Sequence, residues 1–454
     1  MTDATLNPDR IAALKSTVAE LMPGVRADLE ALTRIPSVSL DAFDQANVEA
    51  SAEATAALLR AEGLDVEIVR EGGRPAVIGH VDGPEGAPTV MLYAHHDVQP
   101  PGQEADWDSP PFEPTEREGR LYGRGAADDK AGIMAHVAAL RAHHGALPVG
   151  VTVFVEGEEE IGSDSLPTIL HRHGDKLRAD AIVLADSTNW AIGEPALTTT
   201  LRGMIRVVVT VTTLDHGIHS GMFGGAVPDA ITPLIRTLAS LHDDAGDVAV
   251  AGLRSGRGSD LAFDEPRLRE ESGLLDGVQT IGTGTLLERI WAKPTATVIG
   301  IDAPSVDRSS NTLVPTARAK VSIRLAPDED PKQAFELVKA HLEANTPWGA
   351  KVEVTLDDQG AGFDAHADGP VHDQARAAFA DAWGVQPVDI GVGGSIPFVA
   401  AFAARFPEAA ILVTGVEDPD TRAHGANESL HLGEFERVCV AETVLLARLG
   451  AMAR

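Results

Sequence analysis

Short apolar runs alternate with helical patterns over residues 64–200, and this alternation constrains the fold more than any other feature of the chain. Residues 89–93, 151–155 and 181–185 are apolar runs of strand length, whereas residues 133–140 repeat apolar side chains at helical spacing. Strands that alternate with helices form a largely parallel sheet with helices on its faces. The sequence therefore predicts an α/β fold, and further helices at both ends of the chain are expected to cover the sheet.

A second region interrupts this pattern. After residue 201 the chain reads as a long strand at 205–212, a helix near 228–241 and a polar loop, followed by a strand, a helix and a strand. The apolar run at 410–414 returns to the first pattern. Because a domain takes roughly 150 residues, 454 residues favour two or three domains. The predicted organisation is one domain formed by residues 1–200 and 367–454, split around an inserted α+β domain at 201–366.

Acidic and imidazole side chains follow the apolar runs of the first pattern. His95, Glu160, Asp186 and His424 each come just after one such run, and Asp128 lies at a glycine-rich turn. In an open α/β sheet, ligands bind in the crevice outside the carboxyl ends of the strands. We therefore expect these five side chains to converge there and to form a metal site.

The first of these segments contains two adjacent histidines, His95 and His96, followed by Asp97. A metal-bound imidazole usually donates its other N–H to a carboxylate, and Asp97 is placed for that role. The spacing alone leaves open which histidine binds metal. A pair of surface histidines in a loop is the structural alternative.

Two acidic segments extend the predicted site. Residues 156–160 carry four carboxylates directly after a strand, and residues 123–130 combine two glycines with Asp128 and Asp129 before a helix. A solvated acidic face would explain the first segment, and a helix cap would explain Asp128. Repelling carboxylates held at a crevice are nevertheless expected where cations lie among them. One carboxylate could bind metal while its neighbour acts as a base.

The predicted ligands offer nitrogen and oxygen but no sulfur. Two Zn²⁺ ions, or Mn²⁺ or Co²⁺ in their place, suit histidine and carboxylate better than Ca²⁺ or Mg²⁺ does. In such a pair one carboxylate bridges the metals and a bridging water becomes the nucleophile. Hydrolysis is the reaction class that this centre predicts.

Composition excludes other classes. A formal charge of -31 disfavours nucleic acid as a partner, because phosphate binding needs clustered Lys and Arg. No run approaches the roughly 18 apolar residues of a membrane span, so we expect a soluble, cytoplasmic protein. The sequence contains neither a Gly-X-Ser-X-Gly nucleophile motif nor a phosphate-binding loop.

These motifs resemble the M20 metallopeptidase family, and more closely its carnosinase-like dipeptidase branch. The resemblance runs in order over nearly the whole chain. It implies a split catalytic domain and an inserted lid and dimerisation domain. The matching segments are residues 93–100, 107–112, 121–130, 156–163, 201–203, 219–225, 322–325 and 393–397.

The resemblance assigns the metal ligands. It implies that His95, Asp128 and Asp186 hold one metal, and that Asp128, Glu160 and His424 hold the other. Asp128 would therefore bridge the two ions. The family pattern also implies a cis peptide between Asp128 and the aspartate that follows it.

The resemblance also implies catalytic and substrate-binding roles. Glu159 matches the general base, and Asp97 is expected to orient the metal-bound histidine beside it. His219 matches a histidine that the partner subunit supplies to stabilise the oxyanion, so the enzyme is expected to be a homodimer. The implied contacts to a small peptide substrate are Arg324, which would bind its carboxylate, Ser395 and Thr312.

One departure puts the substrate preference in doubt. Relatives carry a histidine just before the proline that matches Pro370, whereas this chain has Gly369, with His366 three residues earlier. An N-acyl-amino-acid amidohydrolase, such as an aminoacylase or deacetylase, and a carboxypeptidase are the alternative functions with the same centre. A catalytically inactive protein that kept the fold is a further alternative, although the ligands and the base are all present.

Overall fold

The computed structural model describes residues 6–365, 367–394 and 397–452. Two positions singled out from the sequence, Ser395 and His366, therefore lie outside the described residues. The strands are β1 (Asp65–Val69), β2 (Ala76–Val81), β3 (Thr89–His95), β4 (Thr115–Arg117), β5 (Arg120–Tyr122), β6 (Gly150–Glu156), β7 (Ala181–Leu184), β8 (Ala196–Leu201), β9 (Gly203–Thr212), β10 (Ile218–His219), β11 (Thr295–Asp302), β12 (Thr312–Leu313), β13 (Thr316–Leu325), β14 (Lys351–Gly360), β15 (Phe363–Asp364), β16 (Val388–Val392), β17 (Ala410–Val413) and β18 (Ser429–His431). The helices are α1 (Pro8–Thr33), α2 (Ala46–Ala61), α3 (Lys130–Ala142), α4 (Leu166–His173), α5 (Ser220–Phe223), α6 (Ile231–Ala239), α7 (Glu265–Ser272), α8 (Pro331–Asn345), α9 (Pro370–Trp383), α10 (Pro397–Arg405) and α11 (Leu432–Met452).

The chain divides into two compact units. The first consists of residues 1–199, 365–390 and 401–454, and the second of residues 200–364 and 391–400. The segment 391–400 groups with the second unit although it lies beyond the predicted insertion.

The first unit is built on a large sheet whose strands run in the order β1-β2-β6-β3-β7-β17-β8, with β16 beside β8. The central pairs, β6 with β3, β3 with β7 and β7 with β17, are parallel, whereas β1, β2 and β8 pair antiparallel with their neighbours. The predicted α/β fold with a mostly parallel sheet is confirmed. Because the central strands share one direction, their carboxyl ends lie at one edge of the sheet.

Helices α1, α3, α9 and α11 pack against one another beside this sheet. Val137 of α3 and Val444 of α11 are fully buried, together with Val90 and Val153 from the strands. Every residue of α3 from Lys130 to Leu140 is buried, so this helix lies inside the core on all its faces. The single cysteine, Cys439, is also buried in α11.

The second unit contains an antiparallel sheet in the order β11-β13-β9-β14. Alternate residues of β9, from Ile205 to Val211, are buried against helices α6 and α8. This period of two is expected for a strand with one covered face. Along β11, Val298, Ile299 and Ile301 are exposed on an edge of the sheet.

Across the described ranges, no helix combines the length and apolar character that a membrane crossing requires.

Candidate metal centre

Five segments of the first unit bring the predicted ligands together. His95 is the last residue of β3, Glu160 lies in a short 3-10 turn after β6, and Asp186 follows β7. His424 lies in the loop after β17, and Asp128 immediately precedes Asp129, at the start of α3. The parallel strands β3, β6, β7 and β17 therefore deliver four of the five side chains from their carboxyl ends.

Asp128 lies between the two histidines. Its Oδ1 is 3.1 Å from Nε2 of His95, and its Oδ2 is 3.1 Å from Nε2 of His424. Asp186 Oδ2 is 3.9 Å from the same nitrogen of His95, and Glu160 Oε2 is 3.3 Å from that of His424. The side chains form two adjacent half-sites that share one carboxylate.

The neighbouring Asp129 also approaches the first half-site, where ligand atoms of His95, Asp129 and Asp186 lie within 4.8 Å of one another. Its Oδ2, however, accepts the backbone N–H of His95 at 3.2 Å. The peptide bond between Asp128 and Asp129 is cis, as the resemblance implied. Only one oxygen of Asp129 is bonded to the backbone in this way, whereas the two oxygens of Asp128 face the two imidazoles.

The structure distinguishes the two adjacent histidines. The ring of His95 faces Asp128, whereas Nε2 of His96 lies 2.8 Å from the carbonyl oxygen of Pro75. Burial lowers the pKa of His96 to about 4, so its ring is neutral at pH 7. Gly157 leaves room for this ring, because a Cβ at that position would lie 2.7 Å from Nε2 of His96.

Asp97 positions the turn that carries the two adjacent glutamates. Its carboxylate accepts the backbone N–H groups of Glu159 at 3.2 Å and Glu160 at 3.1 Å. Nδ1 of His95 lies 3.1 Å from the backbone carbonyl oxygen of Asp97 and 3.4 Å from its carboxylate, so the nearer acceptor is the carbonyl and not the predicted carboxylate. Gln99 donates from its backbone and its side-chain amide to the two carboxylate oxygens of Glu160, at 3.0 and 2.8 Å. Glu160 is therefore held in one orientation, whereas no described residue donates a hydrogen bond to the carboxylate of Glu159.

A buried acid that the sequence analysis missed supports the glycine-rich turn. Glu428 accepts the backbone N–H groups of Gly125, Ala127 and Asp128, and pairs with Arg124 at 2.5 Å. Both partners of this ion pair are buried. A lone glutamate just before the short strand β18 gives no local signal of this role, since its partners are about 300 residues away in sequence.

The loops after β7 and β17 also contact one another closely. A Cβ at Gly415 would lie 1.6 Å from the carbonyl oxygen of Ser187, so only glycine fits there. Thr188 and Glu417 then form a parallel bridge. This contact fixes the loop that begins with Asp186.

Electrostatics favour cations at this centre. Burial and then the neighbouring carboxylates raise the pKa of Asp186 to about 7, after a partial offset by His95. The hydrogen bonds that His424 donates to the carboxylates of Asp128 and then Glu160 raise its pKa to about 11. Without added positive charge, ionising all of these carboxylates costs free energy, because like charges then lie close together in a buried site. Bound cations would lower that cost. The donor set of imidazole nitrogen and carboxylate oxygen therefore fits a dinuclear metal site.

The remaining predicted site residues belong to the second unit. His219 and Thr312 are opposite each other in the β10–β12 pair, and Nδ1 of the exposed His219 accepts the backbone N–H of Gly221 at 3.0 Å. Arg324 lies on β13 opposite Met204. His219 and Thr312 therefore lie next to each other in the second unit, and Arg324 lies on strand β13 of the same unit.

Known proteins share this sequence pattern and fold. A family model described as peptidase family M20/M25/M40 matches residues 91–448. The chain is 36% identical to a cysteinylglycine-S-conjugate dipeptidase of Corynebacterium striatum, with 82% of this chain and 84% of that protein covered. It is 30% identical to a Beta-Ala-His dipeptidase of Rattus norvegicus, over 79% of this chain and 76% of that protein.

A solved structure shows the same fold. The structure of the di-peptidase Dug1p from Saccharomyces cerevisiae superimposes with a TM-score of 0.81 at 24% identity, over 97% of this chain and 98% of that one. The family model covers most of the chain, and the structure contains two groups of histidine and carboxylate side chains that could hold metal ions. The chain therefore belongs to peptidase family M20/M25/M40 and depends on metal.

Proposed function

We propose that this chain is a dinuclear zinc dipeptidase that hydrolyses unblocked dipeptides, with manganese or cobalt as possible substitutes for zinc. The observation that carries the proposal is that the two oxygens of Asp128 face His95 and His424. His95 and Asp186 would hold one cation with Asp128, and Glu160 and His424 the other. When bound, the cations would lower the pKa of a water molecule and polarise the scissile carbonyl.

Glu159 is the proposed general base. Asp97 accepts the backbone N–H of Glu159 and so fixes its position. The carboxylate of Glu159 accepts no hydrogen bond from the described residues, so its oxygens can accept a proton. It would take the proton of the attacking water and then deliver it to the nitrogen of the leaving amine. Glu160, whose oxygens are held by Gln99, is better suited to bind metal than to exchange a proton.

Three residues of the second unit are proposed to act on the substrate. We propose that Arg324 binds the terminal carboxylate, that Thr312 contacts the substrate, and that His219 of a second subunit stabilises the oxyanion. The pairing of His219 with Thr312 supports a shared role for these two residues. Ser395 is proposed as a substrate contact on the resemblance alone.

A homodimer is part of this proposal. The edge strand β11 exposes Val298, Ile299 and Ile301, and an apolar edge with free backbone groups is suited to pairing with a second chain. Pairing of two copies along β11 would cover these side chains. A cytoplasmic location is proposed as well, and cell fractionation would test it.

The substrate class is supported by the relatives, whose names give dipeptides such as Cys-Gly and Beta-Ala-His.

The test compares release of alanine from Ala-Ala, from N-propionylalanine and from N-acetyl-Ala-Ala by the zinc-loaded protein. N-propionylalanine differs from Ala-Ala only in lacking the amino group. We expect Ala-Ala to be hydrolysed with the highest kcat/KM.

Two outcomes would replace this assignment. Faster hydrolysis of N-propionylalanine would show an N-acyl-amino-acid amidohydrolase, and faster hydrolysis of N-acetyl-Ala-Ala would show a carboxypeptidase. No release from any substrate by a metal-loaded, folded protein would favour an inactive member of the family. A chelator should abolish activity, and re-addition of Zn²⁺ should restore it.

A further inference from the structure

A pocket of about 530 Å³ lies within the second unit. Helix α7, residues 279–290 and the first residues of β11 form much of its wall. The surface inside the pocket is mostly apolar, and the apolar side chains that line it include Leu268, Leu274, Ile281, Leu286 and Ile290. Small-molecule sites typically have volumes of roughly 300–1,000 Å³ and apolar walls with a few placed polar groups. The pocket therefore has the size and the lining of a ligand site.

One carboxylate, one ammonium and one guanidinium group also line this pocket, and they belong to Asp247, Lys293 and Arg289. Nζ of Lys293 donates to Oδ1 of Asp247 at 3.0 Å and to the carbonyl oxygen of Thr283 at 2.7 Å. Hydrogen bonds from Thr283 and then Lys293 lower the pKa of Asp247 to about 2, so its carboxylate is ionised at pH 7. Asp247 and Lys293 therefore compensate each other, and the positive charge of Arg289 is left over.

Neutral groups hold Arg289 in place. Its Nε and Nη2 donate to the carbonyl oxygen of Gly284 at 3.1 and 2.7 Å. Its Nη1 donates to the carbonyl oxygen of Ile281 at 3.2 Å and to Oγ1 of Thr280 at 3.4 Å. A guanidinium has five N–H groups, so these four bonds leave one N–H of Nη2 without an acceptor in the described part of the chain. The guanidinium is thus fixed, and no described carboxylate forms an ion pair with it.

Two features distinguish Arg289 from Arg269 of α7. Arg269 pairs with Glu265 at 2.6 Å, whereas Arg289 has no such pair among the described residues although the chain contains 68 acidic residues and only 37 lysines and arginines. Arg289 also lies in a π-helical turn, Glu288–Ala292. Turns of this kind are rare and occur frequently at functional sites. Both features are expected of an arginine that is available to an anion.

We propose that this pocket binds a small amphiphilic monocarboxylate of the medium-chain fatty acid type, with its carboxylate at Arg289 and its apolar chain along the apolar wall. A guanidinium N–H and a carboxylate form a charge-assisted hydrogen bond. The chain would cover apolar surface such as that of Ile281, which is 67% exposed. A dianion such as a phosphate monoester is disfavoured, because the ionised Asp247 lines the same pocket. This site is independent of the proposed dipeptidase function.

The test measures binding to the full-length, zinc-loaded protein by isothermal titration calorimetry. The probes are octanoate, hexanoate and octanamide, which has the chain length of octanoate but no charge. Octanoate should bind roughly 10- to 100-fold more tightly than octanamide, because hydrogen bonds between charged groups are the stronger ones. Each methylene contributes about 3- to 4-fold in affinity, so hexanoate should bind about 10-fold more weakly than octanoate.

Variants of Arg289 test the contact with the carboxylate. Arg289→Gln should weaken octanoate binding by roughly 10- to 100-fold and change octanamide binding by less than about 3-fold. Arg289→Lys keeps the cation and should retain a preference for octanoate, provided that its melting temperature shows a folded protein. Arg254→Gln, a change at an exposed arginine of the same unit that does not line the pocket, is the matched control. Equal wild-type affinities for octanoate and octanamide would overturn the role of Arg289.

A blocking variant tests the location. Ser272 is exposed and lines the pocket, so Ser272→Trp should fold and fill part of the volume. It should weaken octanoate and octanamide alike by at least about 10-fold, because the ring and the ligand cannot occupy the same space. Ser305→Trp, at an exposed serine outside the pocket, should bind both probes as the wild type does. Unchanged octanoate binding in Ser272→Trp would place the ligand elsewhere, for example at the metal centre, and would refute the proposal.

Failure of the wild-type protein to bind octanoate at millimolar concentration would also reject the proposed site. If Ile281→Lys then halved the mass measured by light scattering, a second copy of the chain would be the occupant of this pocket instead of a carboxylate.

Discussion

The carboxylate of Glu428 accepts the backbone N–H of Asp128 at 3.2 Å, across 300 residues of sequence. The same carboxylate holds Gly125 and Ala127 and neutralises the buried Arg124. The position of the proposed bridging ligand is thus set by a residue outside the two groups that could hold metal ions. The glycine-rich turn is shaped by this acid as much as by its own sequence.

Glu428→Gln should destabilise the protein, because it leaves Arg124 buried without a counter-charge. Breaking a buried ion pair costs about 3 kcal/mol or more. Urea unfolding of the metal-free protein would measure the loss. Glu408→Gln, a change at an exposed residue, should alter the free energy of unfolding by less than about 0.5 kcal/mol. Equal stability of the two variants would contradict the structural role of Glu428.

Glu159→Gln should lower kcat by about 100- to 10,000-fold, because the amide cannot accept a proton from water. Metal content should stay at the wild-type level, since the proposed ligands are unchanged. Steady-state kinetics and elemental analysis on the same sample check both statements. Asp164→Asn removes an exposed carboxylate from the neighbouring loop and serves as the control. Normal turnover in Glu159→Gln would remove this residue from the mechanism.

Asp97→Asn should weaken metal binding, since the two oxygens of the Asp97 carboxylate accept the backbone N–H groups of Glu159 and Glu160 and so hold the turn that carries them. Residues that orient metal ligands typically contribute about 10- to 100-fold in affinity. Competition with a chromophoric chelator would measure the dissociation constant for Zn²⁺. Asp108→Asn, in an exposed loop, should bind zinc as the wild type does. An unaltered affinity in Asp97→Asn would argue against the orienting role.

Substitution of the exposed edge of β11 should produce a monomer. In the double variant Ile299→Lys, Ile301→Lys, charges replace two side chains that the proposed interface would bury. Light scattering should then give half the wild-type mass, and activity should fall with dimer content. Ile192→Lys changes an equally exposed isoleucine of the first unit and should leave the mass unchanged. A fully active monomer would exclude a catalytic His219 from a second subunit.

The buried pair of His136 and Glu442 predicts a pH-dependent stability. Burial alone would lower the pKa of His136, but the charge and hydrogen bond of Glu442, 2.8 Å from Nδ1, raise it overall. A raised folded pKa means that the stabilisation is complete below about pH 6.5, the unfolded value, and is lost as the pH rises through the folded value.

His136→Gln should therefore reduce the free energy of unfolding by about 2 kcal/mol at pH 6 and by less at alkaline pH. Urea titrations of the wild type and the variant across this range would measure the difference. His171→Gln, an exposed change in α4, should show no such trend. A stability difference between the wild type and the variant that grows with pH would contradict the assignment of a protonated His136 at low pH.

Much of the fold could be predicted because its signals are local. The helical spacing at residues 133–140 falls within the helix Lys130–Ala142, and the run at 410–414 is the strand Ala410–Val413. Apolar side chains at a period of 3.6 or 2 report which face of each element is buried, whatever lies opposite. The placement of polar residues after strands likewise identified the side chains that the first unit brings together.

The sequence by itself determined the alternation of strands and helices, the nitrogen and oxygen donors, and the family to which the chain belongs. Only the tertiary structure decided that His95 rather than His96 faces Asp128, and that Glu428 holds the glycine-rich turn. Each of these depends on atoms that packing brings together from distant parts of the chain. Periodicity specifies which face of an element is buried. A hydrogen bond, in contrast, forms only when folding has positioned both its donor and its acceptor.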